Sequence, residues 1–171
     1  TTVEEVALQD YQTMVKARGV VRPHNEVTLN AEVSGKIRAI LPGFEDGAYF
    51  GKDEVLVELD DADYKTALLA AEAQQARAQA TFAQEEARAK QARLNWEDLG
   101  YDEEPNDLVL RLPQLREAAA NVKAAEAQWQ RAQRDLERTR IRAPFDGRVR
   151  MRSVGQGQSV GTGTALGTIF A

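Results

Sequence analysis

The sequence has 171 residues, a mass of 18.9 kDa, a formal net charge of −5 and an isoelectric point of about 5.1. This size suffices for one ordinary core or two small ones, and the acidic balance gives no support to nucleic-acid binding. Because cysteine is absent and His24 is the single histidine, we expect no disulfide, no metal site and no cofactor. No apolar run approaches the length of a membrane span.

The first sixty residues are predicted to be extended. Residues 1–18 contain Val3, Val6 and Leu8 but have no counterpart later in the chain, and we interpret them as a strand of a separate module. Residues 19–60 are predicted to form short strands joined by glycine-containing turns. The alternation around Val57 and Leu59 is typical of a strand.

Residues 61–140 are predicted to form two long helices, with Asp60 and Asp61 capping the first, Gly100 ending it and Pro113 in the first turn of the second. In each helix a row of residues recurs at alternating steps of three and four, which is the period of a coiled coil. The first row is Tyr64, Leu68, Ala71, Gln75, Ala78, Phe82, Glu85, Ala89, Ala92, Trp96 and Leu99, and the second is Leu115, Ala118, Val122, Ala125, Trp129, Ala132, Leu136 and Thr139.

Packing these rows against each other in antiparallel fashion places Leu68 opposite Leu136 and, near the far end, Trp96 opposite Leu108. At 1.5 Å per residue the first helix is expected to be about 55 Å long. Because the rest of the chain is small, a pair of helices of this length is predicted to project from it.

A repeat flanks the predicted helices. The stretch Ser34-Gly35-Lys36-Ile37 returns as Asp146-Gly147-Arg148-Val149. A second block returns at nearly constant spacing: Gly47, Phe50, Gly51, Leu56 and Leu59 correspond to Gly157, Val160, Gly161, Leu166 and Ile169. The repeat predicts one β-module built from two related halves, residues 19–60 and 141–171, with the helices inserted between them.

Five residues are predicted to shape turns of this module. Gly35 and Gly147 are expected where the backbone has a positive φ or where another backbone comes close. Pro144, with Asp146 and Gly147, is predicted to form the turn between the second helix and the next strand, and Gly47 marks another turn.

The segment after the second helix carries the motif Leu136-x-x-Thr139-x-Ile141-x-Ala143-Pro144-x-Asp146-Gly147-x-Val149. It resembles the motif that closes the helical hairpin in the periplasmic adaptor family, also called membrane fusion proteins of the haemolysin-D type. The first half is similar to the same family at Val33-x-Gly35-x-Ile37. The segment Leu108-Val109-Leu110-Arg111-x-Pro113-Gln114-Leu115 resembles hairpin ends of adaptors that serve resistance–nodulation–division (RND) exporters.

The resemblance covers residues 20–171 and implies an α+β fold. The expected architecture is a split lipoyl-like β-sandwich, or barrel-sandwich hybrid, interrupted by a long antiparallel α-helical coiled-coil hairpin. Residues 1–18 would then be a strand of the barrel or membrane-proximal module. The chain ends at Phe170-Ala171, where the family's barrel begins, so we expect a fragment of an adaptor.

The function implied by the resemblance is that of a periplasmic adaptor subunit in a tripartite RND-type efflux system. Such a subunit bridges an inner-membrane RND transporter and an outer-membrane channel, and the full-length protein is expected to associate with itself into a ring. It is expected in the periplasm, anchored to or associated with the inner membrane. No catalytic residue is predicted, and the chain is not expected to be an enzyme.

The end of the hairpin is the predicted site of partner contact. In the family this end faces an outer-membrane channel or a neighbouring adaptor. The residues predicted to make contact are Leu99, Gly100, Tyr101, Leu108, Leu110 and Arg111. Leu108 and Leu110 could instead simply close the end of the hairpin. Many channel-docking adaptors carry Arg, Leu and then Ser near the turn. Here Arg93-Leu94 could supply the first two, but no serine lies between Leu94 and Ser153.

Two alternatives remain open at this point. The first is an adaptor of an ABC-type or type I secretion exporter, which shares the scaffold. The second is a lipoyl or biotinyl carrier domain, in which a modified lysine occupies the turn between the two halves. In this chain the helices that follow Asp61 replace that turn, which disfavours a carrier.

Overall fold

The computed structural model describes residues 2–5 and 7–171. It contains eight β-strands, two long α-helices and a short 3-10 helix, Pro42–Phe44. The first half has the strands β1 (Glu26–Asn30), β2 (Gly35–Ile40), β3 (Tyr49–Phe50) and β4 (Val55–Leu59). The helices α1 (Ala62–Asp98) and α2 (Leu112–Glu137) follow. The second half has β5 (Arg140–Arg142), β6 (Gly147–Arg152), β7 (Ser159–Val160) and β8 (Ala165–Phe170).

The residues before β1 differ from the prediction for residues 1–18. Within residues 2–5 and 7–18 the structure has no strand, and the side chains there, including Val3, Leu8 and Tyr11, are exposed. Thr1 and Val6 lie outside the described residues. A strand needs a hydrogen-bonded partner, and these residues pair with no strand of the described chain. Their assignment to a barrel or membrane-proximal module stays a prediction.

The strands form two four-stranded sheets, and each sheet takes two strands from each half of the chain. The order is β1-β8-β6-β3 in one sheet and β5-β4-β2-β7 in the other, and the pairs between neighbouring strands are antiparallel. The pair of β2 with β7 corresponds under the repeat to the pair of β6 with β3. Gly35 lies opposite Val160, and their counterparts Gly147 and Phe50 also lie opposite each other. The halves therefore exchange strands symmetrically to make one module.

The apolar members of the repeat form the core of the module. In the first half Ile37, Phe50, Leu56 and Leu59 are buried, and in the second half their counterparts Val149, Val160, Leu166 and Ile169 are buried. Burying these side chains supplies the main driving force for joining the halves, at about 1.5–3 kcal/mol for a large apolar side chain.

The structure extends the repeat further upstream than the sequence prediction did. Ala31 and Ala143 are both buried and occupy equivalent positions. The Ala31 N–H donates to the carbonyl of Thr164 at 2.9 Å, and the Ala143 N–H donates to the carbonyl of Glu54 at 2.9 Å. Glu54 and Thr164 are themselves equivalent, so β1 and β5 are the first strands of the two halves.

The two helices pack along the predicted rows. Every predicted position from Tyr64 to Trp96 in α1, and from Leu115 to Thr139 in the second row, is buried or half-buried, whereas most of the residues between these positions are exposed; Leu99 is also exposed. The two helices contact each other, and both join the β-module at one end, through β4 and β5. They therefore run in opposite directions, and the most buried contact positions are the small residues Ala78, Ala118 and Ala125.

The ends of the helices show how the chain enters and leaves them. The carboxylate of Asp60 accepts a hydrogen bond from the Ala62 N–H at 3.1 Å, whereas Asp61 makes no capping bond. Gly100 follows α1 with φ = +70°, a conformation that glycine adopts without strain. The turn at Pro144 and Asp146 joins β5 to β6. Because β5 lies between the second helix and this turn, the prediction that the turn follows the helix directly was wrong.

Within the described residues, none of the helices is both long and apolar enough to cross a membrane.

Candidate partner-binding site at the end of the hairpin

The far end of the helical pair is formed by residues 99–111, which connect α1 to α2. Three apolar side chains in and next to this connection face solvent: Leu99 is 66% exposed, Tyr101 60% and Leu108 71%. Isolated exposed leucines are common, but three large apolar side chains on one short connection are typical of a contact surface. We call these three residues the apolar tip.

Leu110 differs from the other residues predicted to touch a partner. It is only 8% exposed, and its N–H donates to the carbonyl of Asn106 at 3.2 Å. The side-chain oxygen of Asn106 also accepts a hydrogen bond from the Val109 N–H at 2.9 Å, so this part of the connection is a closed turn. Leu110 therefore closes the end of the hairpin and is not available to a partner in this conformation.

Arg111 holds the connection to α1 through an ion pair with Glu85. Nη2 of Arg111 lies 3.0 Å from Oε2 of Glu85, and Nη1 of Arg88 lies 2.6 Å from Oε1 of the same carboxylate. The hydrogen bond from Arg111, followed by that from Arg88, lowers the pKa of the Glu85 carboxyl below its usual value. Arg111 has φ = +56°, so the chain turns sharply at this residue just before α2.

Glu85 is the residue of this site that the sequence prediction missed. The periodicity places it in the row of α1 without assigning it a partner. The structure shows that its carboxylate is largely buried and bound by two guanidinium groups. A carboxylate in an apolar row with an arginine three residues later was the available signal, although its second partner, Arg111 in the connection, could not be found from spacing.

Trp96 also stabilises the connection, through Glu103 and Tyr101. Its Nε1 donates to the carbonyl of Glu103 at 3.0 Å, and its ring lies 4.8 Å from that of Tyr101 between centroids. Leu108, which was predicted to lie opposite Trp96, is largely exposed, and its pairing with Trp96 stays a prediction. The connection folds back over the last turn of α1, and these tertiary contacts determine which of its side chains face outward.

The near end of the helical pair is fixed to the β-module by polar contacts. Asp61 lies 3.1 Å from Nζ of Lys65 and 3.4 Å from Nη1 of Arg38, and the hydroxyl of Tyr64 donates to the carbonyl of Ser34. The hydrogen bond with Lys65 is the main cause that lowers the pKa of the Asp61 carboxyl. Orientation of the helices is thereby coupled to the module.

The predicted turn residues of the module have distinct roles in the structure. Gly47 has φ = +79°. Gly147 begins β6 at a place where a Cβ atom would lie 2.2 Å from the carbonyl oxygen of Phe170, whereas Gly35 begins β2 with more room. The carboxylate of Asp146 accepts a hydrogen bond from the Lys52 N–H at 2.7 Å and so links the two halves.

Comparison with known proteins identifies the split module. Residues 25–171 match the family described as "RND MFP, barrel-sandwich hybrid domain", where MFP is membrane fusion protein. The chain belongs to this family. The two interleaved sheets described above are thus the barrel-sandwich hybrid of an RND membrane fusion protein, in agreement with the resemblance.

Similar proteins include one from Klebsiella pneumoniae, the multidrug resistance protein MdtA. It is 32% identical to the chain over 168 residues, which cover 98% of the chain and 39% of the relative. The chain therefore spans about two fifths of the length of the MdtA relatives it matches.

Solved structures share the fold. A putative efflux transporter from Bacteroides eggerthii superposes with a TM-score of 0.64 at 24% identity, over 85% of the chain and 39% of that protein. A chimera of MacA and MexA that contains the α-hairpin domain of Pseudomonas aeruginosa MexA superposes with a TM-score of 0.55 at 27% identity, over 86% of the chain and 48% of the chimera.

Residues 2–5 and 7–171 hold no cluster of three or more histidine, cysteine or acidic side chains arranged to bind a metal ion. His24 is exposed in the segment before β1. A carrier domain would have its modified lysine in the turn between the two halves. Here β4 leads instead through Asp60 and Asp61 into α1, and β5 returns beside β4 with Arg140 opposite Glu58.

Proposed function

We propose that the chain is the hairpin and lipoyl-like part of a periplasmic adaptor subunit in a tripartite RND-type efflux system. In this role it bridges an inner-membrane RND transporter and an outer-membrane channel. The family itself supports the RND assignment, and the name of the MdtA relatives, multidrug resistance protein, supports a role in export. The adaptor acts in the periplasm, anchored to or associated with the inner membrane.

The observation that carries the proposal is the pair of long helices inserted into a split β-module. With 37 residues, α1 is about 55 Å long, far longer than the core of the module requires. We propose that α1 and α2 form an antiparallel coiled coil, because their less exposed residues follow a period near 3.5 and meet through alanines. A projecting coiled coil suits a bridge between two membranes.

The mechanism proposed for this subunit is assembly without bond chemistry. The β-modules of several copies pack side by side into a ring in the full-length protein, and the hairpins extend from the ring toward the outer membrane. The apolar tip docks on the channel. Three contacts with the module orient the hairpin: Asp61 with Arg38, Tyr64 with the carbonyl of Ser34, and Nε of Arg138 with Oε2 of Glu32 at 2.8 Å.

Deletion of residues 97–112 in the full-length protein tests this proposal. We expect the deletion to raise the accumulation of a fluorescent efflux dye in cells to the level of a strain without the adaptor, because the docking surface is lost. A finer variant, Leu99→Ser with Leu108→Ser, is expected to reduce efflux while the adaptor remains folded and abundant.

The matched control is Leu69→Ser, which removes an exposed leucine of α1 near the module rather than at the far end. This variant is expected to leave dye accumulation unchanged. Normal efflux by the deletion variant, with the adaptor present at its usual level, would show that the end of the hairpin is not the docking site.

A further inference from the structure

The end of the hairpin carries a concentrated negative charge that the proposed docking role does not by itself explain. Six of the 27 acidic residues lie between Leu94 and Leu110, where the sequence holds no lysine or arginine. The remaining 21 acidic residues are balanced by 22 basic ones in the rest of the chain. We call the six residues the acidic tip: Glu97, Asp98, Asp102, Glu103, Glu104 and Asp107.

The charge of the acidic tip is directed to solvent. All six residues are exposed. In the part of the chain that the structure describes, none of them lies within ion-pair distance of a basic group. The better buried carboxylates of Asp61 and Glu85 are each bound by two basic side chains. The acidic tip therefore has charge available to a partner, next to the exposed side chains of the apolar tip.

This charge restricts what can cover the apolar tip. Two copies that met tip to tip would bring twelve like charges within about one Debye length, roughly 8–10 Å in physiological salt, and would repel. A membrane surface rich in anionic lipids would repel the tip for the same reason. A protein surface with an apolar depression and a rim of lysine or arginine is complementary in both respects.

We infer that the hairpin end selects a partner whose docking surface is basic, through the acidic tip, and that Asp102, Glu103 and Glu104 contribute to this selection. The inference rests on the proposed function, in which that partner is the periplasmic end of an outer-membrane channel. Charges at the edge of an interface mainly accelerate association and make its rate sensitive to salt.

The test uses the intact adaptor and outer-membrane channels of its host, purified one at a time in nanodiscs. Association rates are measured by surface plasmon resonance at about 0.05 M and about 0.3 M NaCl. We expect the unaltered protein to bind one channel with an association rate that falls about tenfold between the two salt concentrations. The variant Asp102→Asn/Glu103→Gln/Glu104→Gln is expected to associate about fivefold or more slowly at low salt and to lose most of this salt dependence.

The matched control is Glu72→Gln/Glu126→Gln/Glu137→Gln, which removes the same charge from exposed residues of the helices away from their far end. It is expected to behave like the unaltered protein. Equal association rates for the two triple variants, binding to vesicles of phosphatidylglycerol, or tip-dependent self-association would overturn the inference.

The same measurement separates this inference from the proposed function. If a variant without residues 97–112 binds the channel as well as the unaltered protein, tip docking itself is wrong. If that deletion abolishes binding but neutralisation of the acidic tip leaves the association rate and its salt dependence unchanged, docking stands and only the charge inference fails.

Discussion

At the scale of single residues, the carboxylate of Glu85 helps to fix the conformation of the connection between the helices. Its carboxylate lies on the packed face of α1 and binds Arg111 at the start of α2. Removing one partner of such a pair leaves the other partly buried without compensation, which costs more than the pair itself contributes. The ion pair therefore fixes where the connection ends and α2 begins.

We predict that this ion pair makes the stability of the hairpin depend on pH. The folded state lowers the pKa of the Glu85 carboxyl below its ordinary value of 4.5, so its stabilising effect is present above about pH 4.5 and is lost as the pH falls through the lowered pKa. The difference in unfolding free energy between the unaltered protein and Glu85→Gln should thus be constant near neutral pH and shrink below 4.5.

Urea unfolding followed by circular dichroism at a series of pH values measures this difference. The control Glu86→Gln removes an exposed carboxylate one residue away. The difference in unfolding free energy between this control and the unaltered protein should change less over the same pH range. A Glu85→Gln difference that stays constant as the pH falls well below 4.5 would contradict the assignment.

Gly147 provides a second prediction at the residue scale. A Cβ atom there would lie 2.2 Å from the carbonyl oxygen of Phe170, so Gly147→Ala must push apart the paired strands β6 and β8. We expect a loss of about 1–3 kcal/mol of unfolding free energy. Its repeat counterpart Gly35→Ala is the control, because the nearest atom, Cβ of Leu59, lies at 3.4 Å. Similar losses for both variants, measured by urea unfolding, would contradict the prediction.

At the scale of elements, the contact between α1 and α2 depends on small residues. Ala118 and Ala125 are buried on the packed face of α2, and Ala78 is buried on that of α1. Alanine lets two helices approach closely, and a larger side chain at such a position forces them apart. The bulkier residues between the alanines fix which turns of the helices face each other.

We predict that Ala118→Leu destabilises the hairpin by about 1–3 kcal/mol, because its side chain has no space between the helices. Ala120→Leu is the matched control, since Ala120 is exposed on the same helix and leucine is a good helix former. Thermal unfolding followed by circular dichroism at 222 nm compares the two. A midpoint for Ala118→Leu equal to that of Ala120→Leu would contradict close packing of the helices.

At the scale of the whole molecule, the two halves of the chain form a single folding unit. Each sheet contains two strands from before the helices and two from after them. Neither half can complete a sheet or bury its apolar face alone. The inserted helices also tie the halves together, because α1 belongs to the first half and α2 to the second.

We predict that cutting the connection between the helices leaves the molecule assembled. A specific protease site inserted between Glu104 and Pro105 lies in an exposed part of the connection. After cleavage the two pieces should elute together on size exclusion and retain the β-sheet signal, whereas each piece purified alone should lack stable tertiary structure. Separation of the pieces under native conditions would show that the halves are independent.

The sequence by itself determined the split β-module and the two long helices, because both depend on periodic patterns. The repeat from Gly35 to Leu59 and from Gly147 to Ile169 identified the equivalent strands and their buried residues. The row from Tyr64 to Trp96 identified the packed face of α1. A buried position that recurs at a fixed period can be identified from one sequence, since an apolar or small side chain is needed there in every period.

Only the tertiary structure decided what the end of the hairpin presents. Local spacing did not distinguish Leu108 from Leu110, since both were predicted to contact a partner or to close the hairpin end. In the folded connection Leu108 faces solvent and Leu110 is buried. The folded connection also pairs Arg111 with Glu85, 26 positions away in the sequence. A connection without a regular period has no repeating pattern to read. Its side chains take their places only when the last turn of α1 and the first turn of α2 are brought together.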